Sequence, residues 1–380
     1  MNKRVLILSC STGGGHNAAG HAMQEVFASH GWEVLFPDYL SLAGERVSRM
    51  VSDAYIETAR RTPRLFGQAY KLGMAVSRYS TLSPVYYANH LMAKYLRAYL
   101  NEHPVDAILM PHLYPAETLS WMKRNGEALP LTVAIATDYT CIPFWEETDC
   151  DRYVIPAADL AGEFTGRGLP QEKLLPLGIP VSQAYLEPTP RAEARRRLGL
   201  PEEGECILVM GGSMGAGSLY TLSHCLLEQT KDEHLVVITG SNEQTAEHLK
   251  SLAQTEPRLT VLKYTKEVPL YFRACDLLFT KPGGLTSTEA AVSGIPMVHT
   301  EPIPGCETQN SVYFSVRGMS RTGPTVQDQV TAGLSLLHSP DACAAMRACQ
   351  RAGIHADAAE RIYEAVVSLL EKEEENIHDA

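Results

Sequence analysis

Two glycine-rich loops and one histidine carry the chemistry that this sequence can do. Ser11-Thr12-Gly13-Gly14-Gly15-His16 directly follows the apolar run Val5-Leu6-Ile7-Leu8. Lys281-Pro282-Gly283-Gly284-Leu285-Thr286-Ser287-Thr288-Glu289 directly follows Leu277-Leu278-Phe279. Each loop sits where a buried strand gives way to a helix, so free backbone N–H groups and the helix dipole favour an anion there. A third small-residue stretch, Gly211-Gly212-Ser213-Met214-Gly215-Ala216-Gly217, follows the run Cys206–Met210. It lets the backbone approach a ligand, and Ser213 can donate a hydrogen bond. Glu289, one turn into its helix, can accept both hydroxyls of a ribose, as acidic residues do in dinucleotide sites. The plainer alternative is that the glycines serve tight turns and Glu289 completes a helix N-terminus. His16 closes the first loop, and an imidazole with an ordinary pKa near ~6.5 suits general-base work. Together these residues predict a phosphorylated ligand held in a cleft between two α/β halves.

Stepping outward, the elements that position these residues are short apolar runs alternating with amphipathic stretches, the pattern of a parallel sheet covered on both faces. Strands are expected near 4–10, 32–37, 105–110, 131–137, 152–155 and 173–177. A second set is expected near 206–210, 234–239, 258–262, 276–280 and 296–300. An insertion at roughly 42–102 reads as two or three helices, punctuated by Pro63, Pro84 and Pro104. The chain closes with helices near 306–317, 324–338, 341–351 and 355–373. Leu177-Gly178-Ile179-Pro180 reads as a linker. The expected organisation is a first domain over 1–178, a second over 179–354, and a helix over 355–380 that packs back on the first.

A chain of 380 residues exceeds what one core usually supports. Its net charge of −11 argues against a surface built for nucleic acid. Nine cysteines without a C-x-x-C motif read as reduced thiols of a cytosolic protein. No signal peptide is expected, and no run approaches the ~18–20 apolar residues that span a bilayer.

The stretch Asp276 to Ala290, with Gly294-Ile295-Pro296 and Pro304-Gly305-Cys306-Glu307-Thr308-Gln309-Asn310, resembles the donor site of glycosyltransferase family 28. Within that family, Ser11 to Ala19, Thr137-Asp138-Tyr139-Thr140 and Asp151-Arg152-Tyr153 resemble the monogalactosyl- and glucosyl-diacylglycerol synthases. The resemblance runs from about residue 4 to about residue 320. It implies the GT-B fold, two Rossmann-like domains facing each other across a cleft, and a UDP-sugar donor. It implies that Glu289 holds the uridine ribose, that Gly212, Ser213, Gly284 and Thr286 cradle the diphosphate, and that Gly14, Gly15, Gly283 and Leu285 also bind the donor. Tyr264 and Val268 match the frame of the uracil, and Glu307, Gln309 and Asn310 match positions near the sugar and phosphates. Cys306 departs from the pattern, which commonly has Gln there, and leaves the donor sugar open.

The resemblance also implies an inverting transfer of a hexose to diacylglycerol or a related lipid. His16 is then the expected base, with Asp138 as competitor or orienter. His112 occupies a similar strand end and is either an acceptor contact or a buried structural histidine. Asp149-Cys150-Asp151 has a D-x-D pattern used elsewhere to hold metals. We expect no metal here, because this fold stabilises the leaving diphosphate with helix dipoles. Residues 45–100 carry nine basic against three acidic side chains, a net of +6. With Arg60, Arg61, Arg64, Tyr70 and Lys71 among them, this segment reads as a surface for the cytosolic leaflet of an anionic membrane, and Trp145 as an apolar wedge. A solvated basic face is the alternative. Two other activities share the fold: a peptidoglycan-type N-acetylglucosaminyl transferase, although its loop typically ends Gly-Gly-His-x-x-Pro, and a soluble UDP-sugar epimerase. A non-enzymatic sugar-nucleotide sensor is the remaining class.

Overall fold

The protein is described by a computed structural model over residues 3–10, 14–50, 53, 68, 72–73, 82–212, 215 and 218–378. It divides into two units, 1–182 with 357–380, and 183–356. Each is built on one six-stranded, all-parallel sheet. Parallel pairing demands long crossovers, which helices supply, and those helices bury both faces of the sheet. The central strands are accordingly apolar throughout: Ala107-Ile108-Leu109-Met110 and Cys206-Ile207-Leu208-Val209-Met210 are buried at every position.

The first unit holds β1 (Arg4–Ile7), β2 (Glu33–Leu35), β3 (Ala107–Met110), β4 (Leu131–Ile135), β5 (Arg152–Val154) and β6 (Leu174–Leu175), in the order β2-β1-β3-β4-β5-β6. The second holds β7 (Cys206–Met210), β8 (His234–Ile238), β9 (Leu259–Leu262), β10 (Leu277–Thr280), β11 (Met297–His299) and β12 (Arg321–Thr322), in the order β12-β11-β10-β7-β8-β9. The two-residue β12 is too short to leave a periodic signal, and the sequence reading has no strand there. The order reverses direction between β1 and β3, and again between β7 and β10. At such a switch point the loops leaving two adjacent strands turn to opposite faces, which opens a crevice at the carboxyl edge. His16 follows β1 and His112 follows β3. Gly211 and Gly212 follow β7, and Lys281 to Gly284 follow β10.

The helix Ala358–His378 belongs to the first unit's core. Its Ala359, Ile362, Val366 and Leu370 share a buried cluster with Met23, Val26 and Phe27 of the helix Gly14–Ser29. The spacing of three and four residues puts them on one face. His30 at the end of that first helix stacks on Tyr363 at 3.9 Å and hydrogen-bonds Glu360 at 2.6 Å.

Gly215, beyond β7, has φ +58, and a methyl added there would lie 1.9 Å from the Thr239 carbonyl oxygen. Gly199, a helix C-cap at φ +66, has open space around it. We expect Gly199→Ala to cost about 1 kcal/mol, the left-handed backbone alone. Gly215→Ala should cost at least about 3 kcal/mol, because backbone must move as well. Denaturant midpoints of the two variants check this, and equal losses would show that the clash relaxes freely.

Candidate active site

In the first unit, the switch point gathers three strand ends around His16. Its Nδ1 lies 2.8 Å from the carbonyl oxygen of Pro111, which follows β3, and 3.0 Å from Thr137 Oγ1, which follows β4. A carbonyl oxygen only accepts, so Nδ1 carries the proton and donates. In the neutral ring Nε2 is then the nitrogen with a lone pair. Burial lowers the imidazole pKa below its usual value; the Asp138 charge and the Pro111 hydrogen bond oppose that shift. The ring is thus neutral and basic at physiological pH, as a proton acceptor must be.

His112 packs edge-on against His16, with ring centroids 4.5 Å apart. It is buried, and its Nδ1 accepts from the backbone N–H of Tyr114 at 3.2 Å. It therefore caps the helix Leu113–Arg124 as a neutral ring. Burial and the neighbouring His16 both hold its pKa well below the ordinary value. Gly14 and Gly15 begin the helix Gly14–Ser29, so His16 stands in its first turn. Gly20 lets the same helix close onto Phe36, the residue after β2: an added methyl would meet its ring at 2.3 Å.

The second unit's switch point joins the loops after β7 and β10. Gly212 sits at φ +68, and an added methyl would lie 3.4 Å from Cε of Lys281. Gly283 caps the helix Gly284–Ser293, and among the described residues no side-chain cap hydrogen bond is made there. Gly284 and Leu285 are buried, while Gly283 and Thr286 are half-buried at the helix entrance. Glu289 is buried on the same helix and receives a hydrogen bond from the Tyr185 hydroxyl. Burial pushes its carboxyl up to about 7, and the Tyr185 bond pulls in the other direction. Tyr264 is 71% exposed, beyond β9, and Val268 opens the helix Val268–Ala274.

Lys281 and Tyr185 are functional candidates that the sequence reading leaves out. Lys281 is 7% exposed, and its Nζ pairs with Glu307 Oε1 at 2.7 Å. The other Glu307 oxygen accepts from the Ile303 N–H at 2.7 Å. Asn310 is fully buried and donates to the Pro282 carbonyl at 3.0 Å, which fixes the Pro-Gly-Gly turn; Gln309 is exposed. A lysine beside a Pro-Gly-Gly turn was the available signal for Lys281. Tyr185 had none, because it lies far from Glu289 in sequence.

Several expected residues fall elsewhere. Ser213, Arg60, Arg61, Arg64, Tyr70 and Lys71 lie outside the described residues. Trp145 is a correction: at 4% exposed it packs edge-on against Tyr153, so it fills the unit's interior and offers no wedge to a membrane. Asp149 and Asp151 are each taken up by a lysine, Lys173 at 2.8 Å and Lys123 at 2.6 Å. Asp151 also accepts from the Thr132 N–H and hydroxyl.

The His16 ring should show the Nδ1–H tautomer and titrate below ~6.5 in nitrogen-detected NMR. Asp138→Asn should lower that pKa further, because it removes the charge that favours the imidazolium. An Nε2–H tautomer would contradict the Pro111 hydrogen bond. For Glu289 the sign is the reverse of an ordinary carboxylate. An acid raised on folding stabilises below its unfolded pKa, and that contribution is lost as pH climbs through about 7. Glu289→Gln should therefore be more stable than the parent at pH 8, by on the order of 2 kcal/mol, and about equal to it near pH 4. Denaturation at the two pH values tests this.

The geometry agrees with what is similar to this chain. Residues 16–181 match the monogalactosyldiacylglycerol synthase family, and residues 206–308 match the glycosyltransferase family 28 C-terminal domain. The chain is 25% identical over 350 residues to a processive diacylglycerol beta-glucosyltransferase of Staphylococcus carnosus, covering 91% of this chain and 87% of that one. It is 27% identical over 345 residues to a probable chloroplastic monogalactosyldiacylglycerol synthase of Glycine max, covering 86% and 63%. The crystal structure of MurG from Acinetobacter baumannii superposes with a TM-score of 0.59 at 16% identity, covering 96% and 99%. This last likeness shows the GT-B fold. The two matched halves each contain one of the switch-point sites, and the chain is a glycosyltransferase similar to the monogalactosyldiacylglycerol synthases and diacylglycerol glucosyltransferases.

Proposed function

We propose that the protein moves a hexose from a UDP-sugar to the free hydroxyl of diacylglycerol, with inversion, giving a β-glycolipid. The observation that carries this reading is the His16 hydrogen bond to Pro111, which leaves Nε2 as a base in the half that matches the lipid synthases. His16 Nε2 takes the acceptor's hydroxyl proton while that oxygen attacks the anomeric carbon. The bond from the anomeric carbon to the β-phosphate oxygen breaks, its electron pair stays on that oxygen, and UDP leaves. The uncapped N-terminus of the helix Gly284–Ser293 faces growing negative charge with a positive dipole end. Glu289 accepts the ribose hydroxyls, which lets its buried carboxylate ionise. Asp138 supports the imidazolium formed in the transfer.

Among the described residues no helix is long and apolar enough to cross a membrane. We place the enzyme on the inner face of an anionic membrane, attracted by the net +6 of residues 45–100. Nucleic acid is not a partner in this reading. Glucose and galactose are both compatible donors, and the departure at Cys306 falls next to the sugar-side residues.

UDP release is to be measured with UDP-glucose and UDP-galactose, with and without diacylglycerol in anionic vesicles. Release that depends on the lipid is expected with one of the donors. His16→Ala should cut kcat by about 10²–10⁴ and leave UDP binding unchanged. UDP-sugar binding without lipid-dependent release would remove the acceptor assignment.

A further inference from the structure

The Lys281–Glu307 pair has a cost that the fold alone does not require. Two charges are withdrawn from water at 8% and 13% side-chain exposure, and such pairs are often no better for stability than apolar residues of the same size. This pair stands at the switch point of β7 and β10, where both glycine loops converge. The ammonium stem lies against Gly212, on the loop after β7, and Lys281 itself begins the loop after β10. A methyl at residue 212 would be in van der Waals contact with that stem, and the backbone there, at φ +68, favours glycine. The remaining groups at these loops are neutral: glycines, Pro282, Thr286 and the backbone N–H groups of a helix. The N-terminus of a helix offers roughly half an elementary charge. A departing nucleoside diphosphate carries between two and three negative charges, so the helix alone leaves most of that charge unmatched.

We infer that Lys281 is the cation that holds the β-phosphate of the donor, supplying the charge that a metal supplies in other transferases, and that Glu307 keeps the ammonium in place until the diphosphate arrives. The inference rests on the UDP-sugar reading above. In the free protein Glu307 is anchored by the Ile303 N–H through its second oxygen. It can therefore remain in position when the ammonium turns to phosphate. The two partners then become available to different parts of the donor, Lys281 to the diphosphate and Glu307 to hydroxyl groups next to it. As the glycosidic bond breaks and its electron pair moves onto the β-phosphate oxygen, the charge near Lys281 rises. The interaction is therefore stronger in the transition state than with the bound donor.

The test is calorimetric binding of UDP, UMP and uridine to the full chain, in EDTA and again in magnesium. Lys281→Met leaves the Glu307 carboxylate without its counter-ion and can unfold, so the double variant Lys281→Met/Glu307→Gln is measured beside it, with its melting temperature. The double variant should fold, bind UMP and uridine within about twofold of the parent, and bind UDP at least tenfold more weakly. Glu307→Gln alone should bind UDP at least as tightly as the parent, since no ion pair has to open. Parent affinity for UDP should be the same in EDTA and magnesium. An unchanged preference for UDP over UMP in the double variant would reduce Lys281 to a structural partner. A UDP affinity that requires magnesium would give the charge to a metal instead. If the parent binds none of the three ligands, the donor assignment itself fails and this inference with it.

Discussion

The arrangement depends on one topological constraint, the reversal of strand order inside each parallel sheet. All strands of such a sheet end at the same edge, so every loop that leaves them faces the same way. Between β1 and β3, and between β7 and β10, the following chain departs to opposite faces, the topology that opens a crevice at the carboxyl edge. Backbone N–H groups at the start of the next helix remain without intrahelical partners there. The apolar content of the strands makes the sheet, and the order of pairing places the reactive residues. His16, Pro111 and Thr137 are brought into hydrogen-bonding distance by the ends of three adjacent strands.

Burial then tunes the two ionisable groups in opposite senses toward the same neutral state. Removing an imidazole from water disfavours its cation, and removing a carboxyl from water disfavours its anion. His16 is shifted toward the neutral base, and Glu289 is shifted toward the protonated acid until donors reach it. Each shift is opposed from nearby, by the Asp138 charge and the Pro111 hydrogen bond for the imidazole and by the Tyr185 hydroxyl for the carboxyl. The two aspartates of the D-x-D pattern go the other way, because ion pairs outweigh burial and lower their pKa. With Lys123 and Lys173 at hydrogen-bond distance, their charge is already balanced inside the first unit.

Much of this was legible in the sequence, for local reasons. An apolar run followed by Gly-Gly is a strand ending at a helix N-terminus whatever the rest of the chain does. The loops at 11–16 and 281–286 could be read without knowing the fold. The positions of Ala359, Ile362, Val366 and Leu370 follow a helical period that marks one apolar face. Trp145 shows the limit: next to Phe144 on a loop, an exposed wedge and a buried anchor have the same composition. Only Tyr153, on β5, determines which one it is.

The sequence by itself determined the two α/β halves and their glycine loops, and it singled out His16 and Glu289 as candidates for the chemistry. Tertiary structure alone decided their chemical state. The proton on His16 Nδ1 is dictated by a carbonyl 95 residues away, and the raised pKa of Glu289 by burial, which the Tyr185 hydroxyl opposes. It alone set Lys281 against both Gly212 and Glu307. The physical reason is range. Helix starts and strand cores follow from neighbours within a few residues, whereas tautomers, ion pairs and desolvation depend on which distant segments share an edge of the sheet.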